Sequence, residues 1–356
     1  MKKIKILVTG CAGFIGYHLC MKLLENKNFF VIGLDNLNNY YDIQLKKNRL
    51  KNIKQKSNNF VFIRADICNE KKIKEIKKQH KFNYIIHLAA QAGVRYSIIN
   101  PQSYIKSNLN GFFNILDLAK SQKIKHFIFA STSSVYGESK KFPIKETENT
   151  DKPISLYAAT KKSNEVIAYS YSYLYKLPAT GLRFFTAYGP YGRPDMSLFK
   201  FVNSILNNKK IVLFNYGKHE RDFTYIDDIV LSINKLIKKP SKKKTPFEIF
   251  NIGSGQPKKL TTFLKLIEHF AGKKSIITYD KMQLGDIYKN HASTNKIKNY
   301  INYRPSTNIN KGIKSFVIWY KNYFNKWHYI IIMINGILIS GRSSGVERNL
   351  AKVEVE

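Results

Sequence analysis

A tyrosine and a lysine four residues apart, Tyr157 and Lys161, are the first side chains in this sequence whose types and spacing indicate chemistry. If they lie on a helix, they share one face, which brings the ammonium of Lys161 close to the phenol of Tyr157. A nearby positive charge favours the phenolate and lowers the pKa of a tyrosine from its usual value near 10. The pair can therefore supply a general base near neutral pH, although this spacing alone also occurs often by chance.

Four consecutive hydroxyl side chains, Ser131 to Ser134, follow a short apolar run, Phe127 to Ala130. A run of this kind indicates a buried strand, and α/β proteins bind ligands at the carboxyl ends of such strands. Thr132 can donate or accept a hydrogen bond at a sugar hydroxyl or carbonyl group. The alternative is a structural hydroxyl that satisfies its own turn.

A glycine-rich turn, TGCAGFIG, separates the first apolar run from the first segment with helical periodicity. Gly10 can adopt the backbone of a tight turn, Gly13 lets the main chain approach a pyrophosphate, and Gly16 allows the helix to pack closely on the strand. The helix N-terminus adds free N–H groups and partial positive charge. The spacing predicts a dinucleotide-binding turn.

Two aspartates strengthen this interpretation. Asp35 follows the second predicted strand, nineteen residues after Gly16, where a carboxylate can accept the ribose hydroxyls of NAD and repel the 2′-phosphate of NADP. A simple turn residue is the alternative for Asp35. Asp66, after the third strand, can either meet the adenine amino group or cap a helix.

Five short apolar runs alternate with helix-compatible stretches in the first part of the chain, which is typical of a parallel sheet covered by helices on both faces. Because crossovers between parallel strands are right-handed, we expect a Rossmann-like, doubly wound α/β fold. The predicted strands cover residues 4–8, 29–34, 60–63, 84–88 and 127–130.

The alternation loosens after residue 182. We therefore predict an NAD-binding domain over residues 1–182. Residues 183–326 are expected to form mainly a smaller C-terminal α/β lobe, which binds the substrate. A strand near 247–252 is expected to return to the first sheet. Residues 327–356 form an atypical tail that we place outside the fold.

The composition of the 356 residues includes 44% hydrophobic residues, enough for a sizeable core despite a formal net charge of +36. This argues against a fibrous, disulfide-built or disordered protein. Because 51 of the 60 basic residues are Lys, which bind bases and phosphates less specifically than Arg, no nucleic-acid partner is expected. The run Lys71–Lys78, with Ile73 and Ile76, predicts instead a solvated helix with one buried face.

The three cysteines, Cys11, Cys20 and Cys68, have no metal-type spacing, and we expect no metal site. Their odd number and the absence of a secretory segment favour a reducing, cytoplasmic location. The apolar run Tyr329–Ile339 is too short for a membrane span, which needs about 20 residues.

Together, the segments TGCAGFIG, STSSVYG and YAATK resemble the extended short-chain dehydrogenase/reductase superfamily. Within it, longer segments are similar to the UDP-glucuronate 4-epimerases, from about Lys3 to Tyr323. Leu284 departs from that pattern, since the family usually has a proline there. The similar segments are DNLNNYYD, HLAAQAGVRYS, SLYAATKKSNE, LRFFTAYGPYGRPDM and RDFTYIDDI.

The resemblance implies an enzyme in which tightly held NAD removes a hydride from carbon 4 of a UDP-sugar and returns it to the opposite face after the 4-keto sugar rotates. Tyr157 would take the 4-hydroxyl proton, Lys161 would hold the nicotinamide ribose, and Thr132 would fill the Ser/Thr position of the family. A homodimer through paired helices is also implied. The residues implied around NAD are Gly10, Gly13, Phe14, Ile15, Gly16, Asp35, Asn36, Asp66, Ile67, Leu88, Ala89 and Asn108, with Tyr157 and Lys161.

For the substrate, the resemblance implies that Phe214 stacks near uracil, with a surface position as the alternative, and that Arg221 meets the diphosphate. Ser133 and Ser134 are further candidate substrate contacts. Because oxidising carbon 4 of a glucuronate creates a β-keto acid, an epimerase must restrain the carboxylate against loss of carbon dioxide. Arg193 can grip it with two hydrogen bonds and Thr186 can add a hydroxyl, while Arg95 is a second candidate.

Three alternatives remain open at this point. Dehydratases and decarboxylases of nucleotide sugars place an acidic residue beside the active-site Ser/Thr, where this chain has Ser133, so both are disfavoured. A 4-epimerase of a neutral UDP-sugar, UDP-glucose or UDP-N-acetylglucosamine, is the main competitor. A non-catalytic NAD-binding or nucleic-acid-binding protein is the alternative from another class.

Overall fold

A seven-stranded parallel sheet forms the centre of the molecule in the computed structural model, which describes residues 3–340. The described strands are β1 (Ile4–Thr9), β2 (Phe29–Asp35), β3 (Phe60–Arg64), β4 (Tyr84–His87), β5 (His126–Thr132), β6 (Ala179–Phe184), β7 (Thr186–Tyr188), β8 (Lys210–Phe214), β9 (Glu220–Arg221), β10 (Phe223–Tyr225), β11 (Phe247–Ile252), β12 (Lys258–Lys259) and β13 (Ile276–Asp280). The order in the large sheet is β11-β6-β5-β4-β1-β2-β3, and all of its pairings are parallel.

Helices cover both faces of this sheet. The described helices are α1 (Phe14–Leu23), α2 (Ile43–Lys56), α3 (Glu70–Gln79), α4 (Tyr96–Ile99), α5 (Pro101–Tyr104), α6 (Phe112–Ser121), α7 (Leu156–Tyr175), α8 (Ser197–Leu206), α9 (Ile226–Leu236), α10 (Leu260–Ala271), α11 (Asn295–Ile301) and α12 (Ile309–Ser340). A π-helical turn, Ile105–Gly111, joins α5 to α6, and a 3₁₀ turn, Ser133–Tyr136, follows β5.

Successive side chains of the central strands point to opposite faces, and this alternation builds two hydrophobic clusters. Ile6 and Val8 of β1 pack in one cluster with α1, α2 and α9, whereas Leu7 packs in the other with α3, α6 and α7. Ile73 and Ile76 form the buried face of α3, as the sequence indicated. The predicted Rossmann-like, doubly wound fold is confirmed.

The chain after β6 builds small two-stranded sheets: β7 with β10, β8 with β13, and β9 with β12. Strand β11 instead returns to the large sheet and pairs with β6 from Phe247 opposite Ala179 to Ile252 opposite Phe184. The lobe boundary at residue 182 falls within β6 and stays a prediction. Among the described helices, none is both long and apolar enough to cross a membrane.

The last described helix, α12, runs to Ser340. The sequence predicted an atypical tail from residue 327, whereas the helix continues beyond that position. Whether 327–340 belongs to the functional fold stays a prediction, and residues 341–356 lie outside the described part of the chain. The buried Phe316 and Tyr320 anchor the earlier turns of α12 to the core.

Candidate active site

A cleft of about 1020 Å³ lies where the carboxyl ends of the central strands face the second lobe. Every residue predicted for the site lines this cleft except Asn108. Asn108 is buried behind the wall, where its side-chain amide donates to the carbonyl of Gln91 and to Thr160 Oγ1, both at 3.0 Å. Its oxygen also accepts from the backbone N–H of Gln91 at 2.8 Å. Asn108 therefore supports the cleft wall without facing the cleft.

The glycine-rich turn has the close approaches that its sequence predicted. Gly10 has a φ of 71°, and a Cβ built there would lie 2.8 Å from the backbone nitrogen of Ala89. A Cβ on Gly16 would lie 2.0 Å from the carbonyl oxygen of Gly10. Side chains at these positions would collide with backbone, so the turn keeps its main chain open to a ligand at the start of α1.

The two predicted acidic residues stand at the edge of the same cleft. Asp35, at the end of β2, accepts from the backbone N–H groups of Ala12 and Leu37 at 3.1 and 2.9 Å, and burial raises its pKa. Asp66 accepts from the backbone N–H of Cys68 at 2.8 Å and from Asn36 Nδ2 at 3.1 Å. Burial alone would raise the pKa of Asp66, but these hydrogen bonds lower it.

Lys46 is a cleft residue that sequence reasoning missed. It lies on α2, is 5% exposed, and its ammonium donates to the backbone and side-chain oxygens of Asn38 at 2.6 and 2.7 Å. Burial lowers its pKa to about 8, while the charge of Asp35 acts in the opposite direction. A buried lysine on a helix rich in exposed lysines has no local signal that distinguishes it.

Tyr157 lies in the first turn of α7, whose N-terminus is capped by Ser155 Oγ accepting from the backbone N–H of Ala158 at 3.2 Å. One turn later, the buried Lys161 donates to the carbonyl oxygen of Ala130 in β5 at 2.9 Å. Burial lowers the pKa of Lys161 to about 8. The helix therefore places both side chains in the cleft at the end of β5.

The pKa of Tyr157 shifts in the direction opposite to the one predicted. Burial raises it, whereas a hydrogen bond with Thr132 and the charge of Arg193 act to lower it. The cation that acts on Tyr157 is thus Arg193, while the ammonium of Lys161 is directed to the Ala130 carbonyl. Sequence spacing gave no sign of this long-range partner.

Thr132 satisfies its own turn, which is one of its two anticipated roles, while its contact with a sugar oxygen stays a prediction. Its hydroxyl accepts from the backbone N–H of Ser134 and donates to Ser134 Oγ, each at 3.2 Å. Behind it, Ser131 Oγ donates to Glu165 of α7 at 2.6 Å. Glu165 is in turn held by two hydrogen bonds from Arg183 of β6, at 2.9 and 2.8 Å. This buried network, which sequence reasoning missed, ties α7 to β5 and β6.

Arg193 lies in the loop between β7 and α8, with its side chain 20% exposed. Its Nε donates to Asp195 Oδ1 at 3.0 Å and its Nη2 to Asp195 Oδ2 at 2.5 Å. Tyr40 also donates to Asp195 Oδ2, at 3.2 Å, and its ring lies 5.9 Å from the guanidinium. One edge of the guanidinium is therefore fixed by Asp195, which leaves the Nη1 side for a ligand.

The other end of the cleft combines an aromatic ring with a charged cluster. Phe214, at the end of β8, is half-buried, and the Arg95 guanidinium lies 4.9 Å from its ring. Arg221 donates to Asp286 Oδ1 at 2.7 Å, and Arg95 lies 4.0 Å from Asp286 Oδ2. Leu284, at the position of the usual family proline, is 82% exposed at the cleft edge. This end has the chemistry to hold a flat base next to an anionic group.

Among the side chains that the structure describes, those of residues 3–324, no group of three or more His, Cys, Asp or Glu is arranged to hold a metal ion. The doubly wound sheet, its glycine turn and the Tyr157–Lys161 helix in one cleft define a nucleotide-dependent enzyme of the short-chain dehydrogenase/reductase type. More specifically, the model of the NAD dependent epimerase/dehydratase family matches residues 6–253, and the chain belongs to this family.

Relatives agree with this assignment. UDP-glucuronate 4-epimerase 4 of Arabidopsis thaliana is 41% identical over 338 residues, which cover 90% of this chain and 76% of the relative. The UDP-glucuronic acid 4-epimerase of Bacillus cereus, solved with UDP-glucuronic acid and NAD, is 32% identical with a TM-score of 0.84, covering 90% of this chain and all 100% of that one. The UDP-glucose 4-epimerase of Thermotoga maritima, solved with UDP-glucose, is 31% identical with a TM-score of 0.81, covering 90% and 100%.

These findings confirm the superfamily, the NAD cofactor and the enzyme class predicted from the sequence, an NAD-dependent nucleotide-sugar 4-epimerase. The fold is the same as in the solved relatives over 90% of the chain. Both an acidic and a neutral sugar occur among the ligands of those relatives.

Proposed function

We propose that this protein is a UDP-glucuronate 4-epimerase, which interconverts UDP-glucuronate and UDP-galacturonate. The observation that carries the proposal is the position of Arg193, which lines the same cleft as Tyr157 and is close enough to lower its pKa. The carboxylate of a hexuronate is attached to carbon 5, so a sugar with its carbon 4 at Tyr157 would present the carboxylate to a cation in this part of the cleft.

The residues around the glycine turn fit NAD. Gly10 and Gly16 leave room for a pyrophosphate at the N-terminus of α1, and the Asp35 carboxylate lies where the ribose hydroxyls would donate. The neighbouring Lys46 ammonium adds a positive charge on the same side. When bound, NAD supplies the acceptor and donor of the hydride at carbon 4.

The chain's own residues handle the proton. Tyr157 takes the proton of the sugar 4-hydroxyl and returns it after the 4-keto sugar has rotated in the site. Thr132, whose hydroxyl acts to lower the pKa of Tyr157, is positioned to bind the same sugar oxygen. Lys161 contributes a buried ammonium at the end of β5, fixed by its bond to the Ala130 carbonyl.

Restraint of the carboxylate separates epimerisation from loss of carbon dioxide. A 4-keto glucuronate is a β-keto acid, and its carbon–carbon bond breaks readily only when aligned with the carbonyl π system. With Nε and Nη2 bound to Asp195, the guanidinium of Arg193 cannot swing freely and offers a fixed edge to the carboxylate. Thr186 lines the cleft as the additional hydroxyl.

The positions after Thr132 also support simple hydride return. Ser133 and Ser134 line the cleft where related eliminating enzymes would carry an acid, so no carboxylate stands beside Thr132 to remove a proton from carbon 5. The sequence-based preference for epimerisation over dehydration therefore stands on the cleft geometry as well.

Product analysis tests the proposal. Purified NAD-loaded protein would be incubated separately with UDP-glucuronate and UDP-glucose, and the products identified by proton NMR. We expect conversion of UDP-glucuronate to UDP-galacturonate with little release of carbon dioxide. Turnover of UDP-glucose alone would instead establish the neutral-sugar epimerase, a candidate favoured by the structural similarity to the Thermotoga maritima enzyme. Absence of turnover with either sugar would favour a non-catalytic binder.

We further propose a homodimer through α6 and α7. These neighbouring helices expose large apolar side chains that a monomer would leave in water: Phe113 is 48% exposed, Val166 56%, Tyr173 58% and Leu174 61%. A second copy of this chain can cover them symmetrically. Light scattering should give a dimer for the wild type and a monomer for Tyr173→Glu.

A matched control is Tyr279→Glu on β13, a tyrosine that is also 58% exposed but lies away from these helices. It should stay dimeric. A monomeric wild type, or equal dissociation of both variants, would contradict an interface on α6 and α7.

A further inference from the structure

A histidine at the nucleotide end of the cleft has no part in the chemistry described so far. His219 immediately precedes β9, and it is the only histidine that lines the cleft among the side chains described, residues 3–324. Its side chain is 4% exposed, yet its Nε2 atom has no hydrogen-bond partner within the described residues. A buried polar atom without a partner is uncommon and calls for a functional explanation.

The surroundings of His219 are charged. Asp286 Oδ2 lies 3.5 Å from its Nε2 without hydrogen-bond geometry, and Asp286 also binds Arg221 at 2.7 Å. Arg95 faces the same carboxylate at 4.0 Å. Nε2 is therefore a buried nitrogen that lies beside one carboxylate and two arginines and has no hydrogen-bond partner among the described residues.

These groups keep the imidazole neutral in the free protein. Burial lowers the pKa of His219 and the charge of Arg221 lowers it further, while Asp286 raises it and Arg95 again lowers it. A neutral imidazole carries one proton, so one of its two nitrogens presents a lone pair, and a lone pair repels an anion. An anionic ligand at Nε2 therefore requires a proton on that atom.

The charge of the cluster leads to the same requirement. Arg95 and Arg221 with the Asp286 carboxylate leave one net positive charge, whereas the diphosphate bridge of a nucleotide sugar carries two negative charges. A protonated His219 would supply the missing positive charge. Both arginines are already charged. Asp286 is the other titratable side chain that acts on His219, and because its protonation would also add one positive charge, the measurement below compares the wild-type residue with His219→Gln.

We propose that His219 is a further substrate-binding residue, which takes up a proton from solvent when a nucleotide sugar binds and donates a hydrogen bond from Nε2 to the diphosphate. The proposal rests on the cleft holding a nucleoside diphosphate sugar, and it does not depend on which sugar is epimerised. It adds a binding group that neither the motifs nor the resemblance assigned.

The proposal has a definite pH dependence. Binding of the diphosphate raises the pKa of His219, so the complex binds more protons than the free protein. Affinity is therefore greatest at low pH and weakens as the pH rises from the free pKa through the bound pKa, by up to about tenfold per pH unit in that window.

Isothermal titration calorimetry can count the proton. Full-length, NAD-loaded protein would be titrated with UDP-glucuronate and with UDP-glucose, in two buffers of equal pH but different heats of ionisation. The bridging diphosphate of these ligands does not itself titrate near neutral pH. A Tyr157→Phe background removes the base and so prevents heat from turnover.

We expect uptake of up to about one proton per bound nucleotide, which should disappear in His219→Gln. His269→Gln, which changes an exposed histidine on α10, should leave the uptake unchanged. Absence of uptake in the parent protein would overturn the proposal without any variant at position 219. Persistence of uptake in His219→Gln, or in His219→Asn if the glutamine variant does not fold, would also overturn it.

The two proposals fail separately in this design. Proton uptake belongs to the diphosphate, which both ligands share, whereas the sugar that is turned over identifies the substrate. A neutral-sugar epimerase with proton uptake would leave His219 in its role and refute only the glucuronate assignment. A glucuronate epimerase without proton uptake would support the glucuronate assignment and refute the role proposed for His219.

Discussion

Replacing Arg193 by glutamine should change which sugar the enzyme prefers. The guanidinium has one edge committed to Asp195, so its remaining N–H groups can make two charge-assisted hydrogen bonds to a carboxylate. Such bonds contribute about 1.5–3 kcal/mol each, and the 20% exposure of the side chain favours the lower end. A loss of about 3 kcal/mol corresponds to a decrease of about a hundredfold in kcat/KM for UDP-glucuronate.

The measurement that isolates this effect is the ratio of kcat/KM for UDP-glucuronate to that for UDP-glucose. Arg193 also lowers the pKa of Tyr157, so its loss should slow any sugar that the enzyme accepts. That common factor cancels in the ratio, which reports the carboxylate contact alone. Mass spectrometry of the products should also detect a decarboxylated UDP-pentose, because the keto acid is no longer restrained.

Two control variants make the test specific. Arg95→Gln removes another cleft arginine, 52% exposed at the nucleotide end, and should weaken both sugars equally. In Arg193→Gln the carboxylate of Asp195 loses its arginine partner. The double variant Arg193→Gln/Asp195→Asn removes that carboxylate charge as well, and it should keep the altered preference between the two sugars. An unchanged ratio in Arg193→Gln, or an equal change in Arg95→Gln, would refute the placement of the sugar carboxylate at Arg193.

Three further predictions address the base, the turn and the pH dependence of stability. Tyr157→Phe should lower turnover by about 10²–10⁴-fold without loss of bound NAD, as read by NMR and by cofactor absorbance. Gly16→Ala should abolish NAD retention, because its Cβ would lie 2.0 Å from the Gly10 carbonyl oxygen; retention of NAD in a folded variant would contradict this. Burial lowers the pKa of His126 from 6.5 to about 4, so the unfolded chain binds the proton first and stability falls as the pH decreases through this window. Between pH 7 and pH 4.5, the free energy of unfolding measured with urea should decrease by about 2–3 kcal/mol less in His126→Gln than in the wild type.

Local signals in the sequence were sufficient for the fold and for the residues near the turn. The apolar runs of β1, β2 and β5 alternate with helical segments, and each such run is long enough to be buried on both faces. At Gly16 the constraint is local, because an added Cβ would meet the carbonyl oxygen of Gly10 in the same turn. At Gly10 the excluding backbone is that of Leu88 and Ala89, just after β4, so there the glycine pattern and not a local contact identified the turn.

Contacts between distant segments were not predictable in the same way. Asp286 meets Arg221 across 65 positions, and Tyr40 meets Asp195 across 155. Asn108 lies in a π-helical turn, whose extra residue per turn changes the direction of a side chain relative to an α-helix. Its amide consequently points to Gln91 and Thr160, where a motif match alone placed it against the cofactor.

The pKa of Tyr157 shows why a motif identifies the base without describing how it works. Spacing along α7 indicated that Lys161 would activate the phenol, yet burial raises the pKa and the opposing influences come from Thr132 and Arg193. A bound nicotinamide would bring a further positive charge to this part of the cleft, which acts in the same direction as Arg193. We therefore expect the phenolate of Tyr157 to be favoured more in the NAD-loaded protein than in the NAD-free protein.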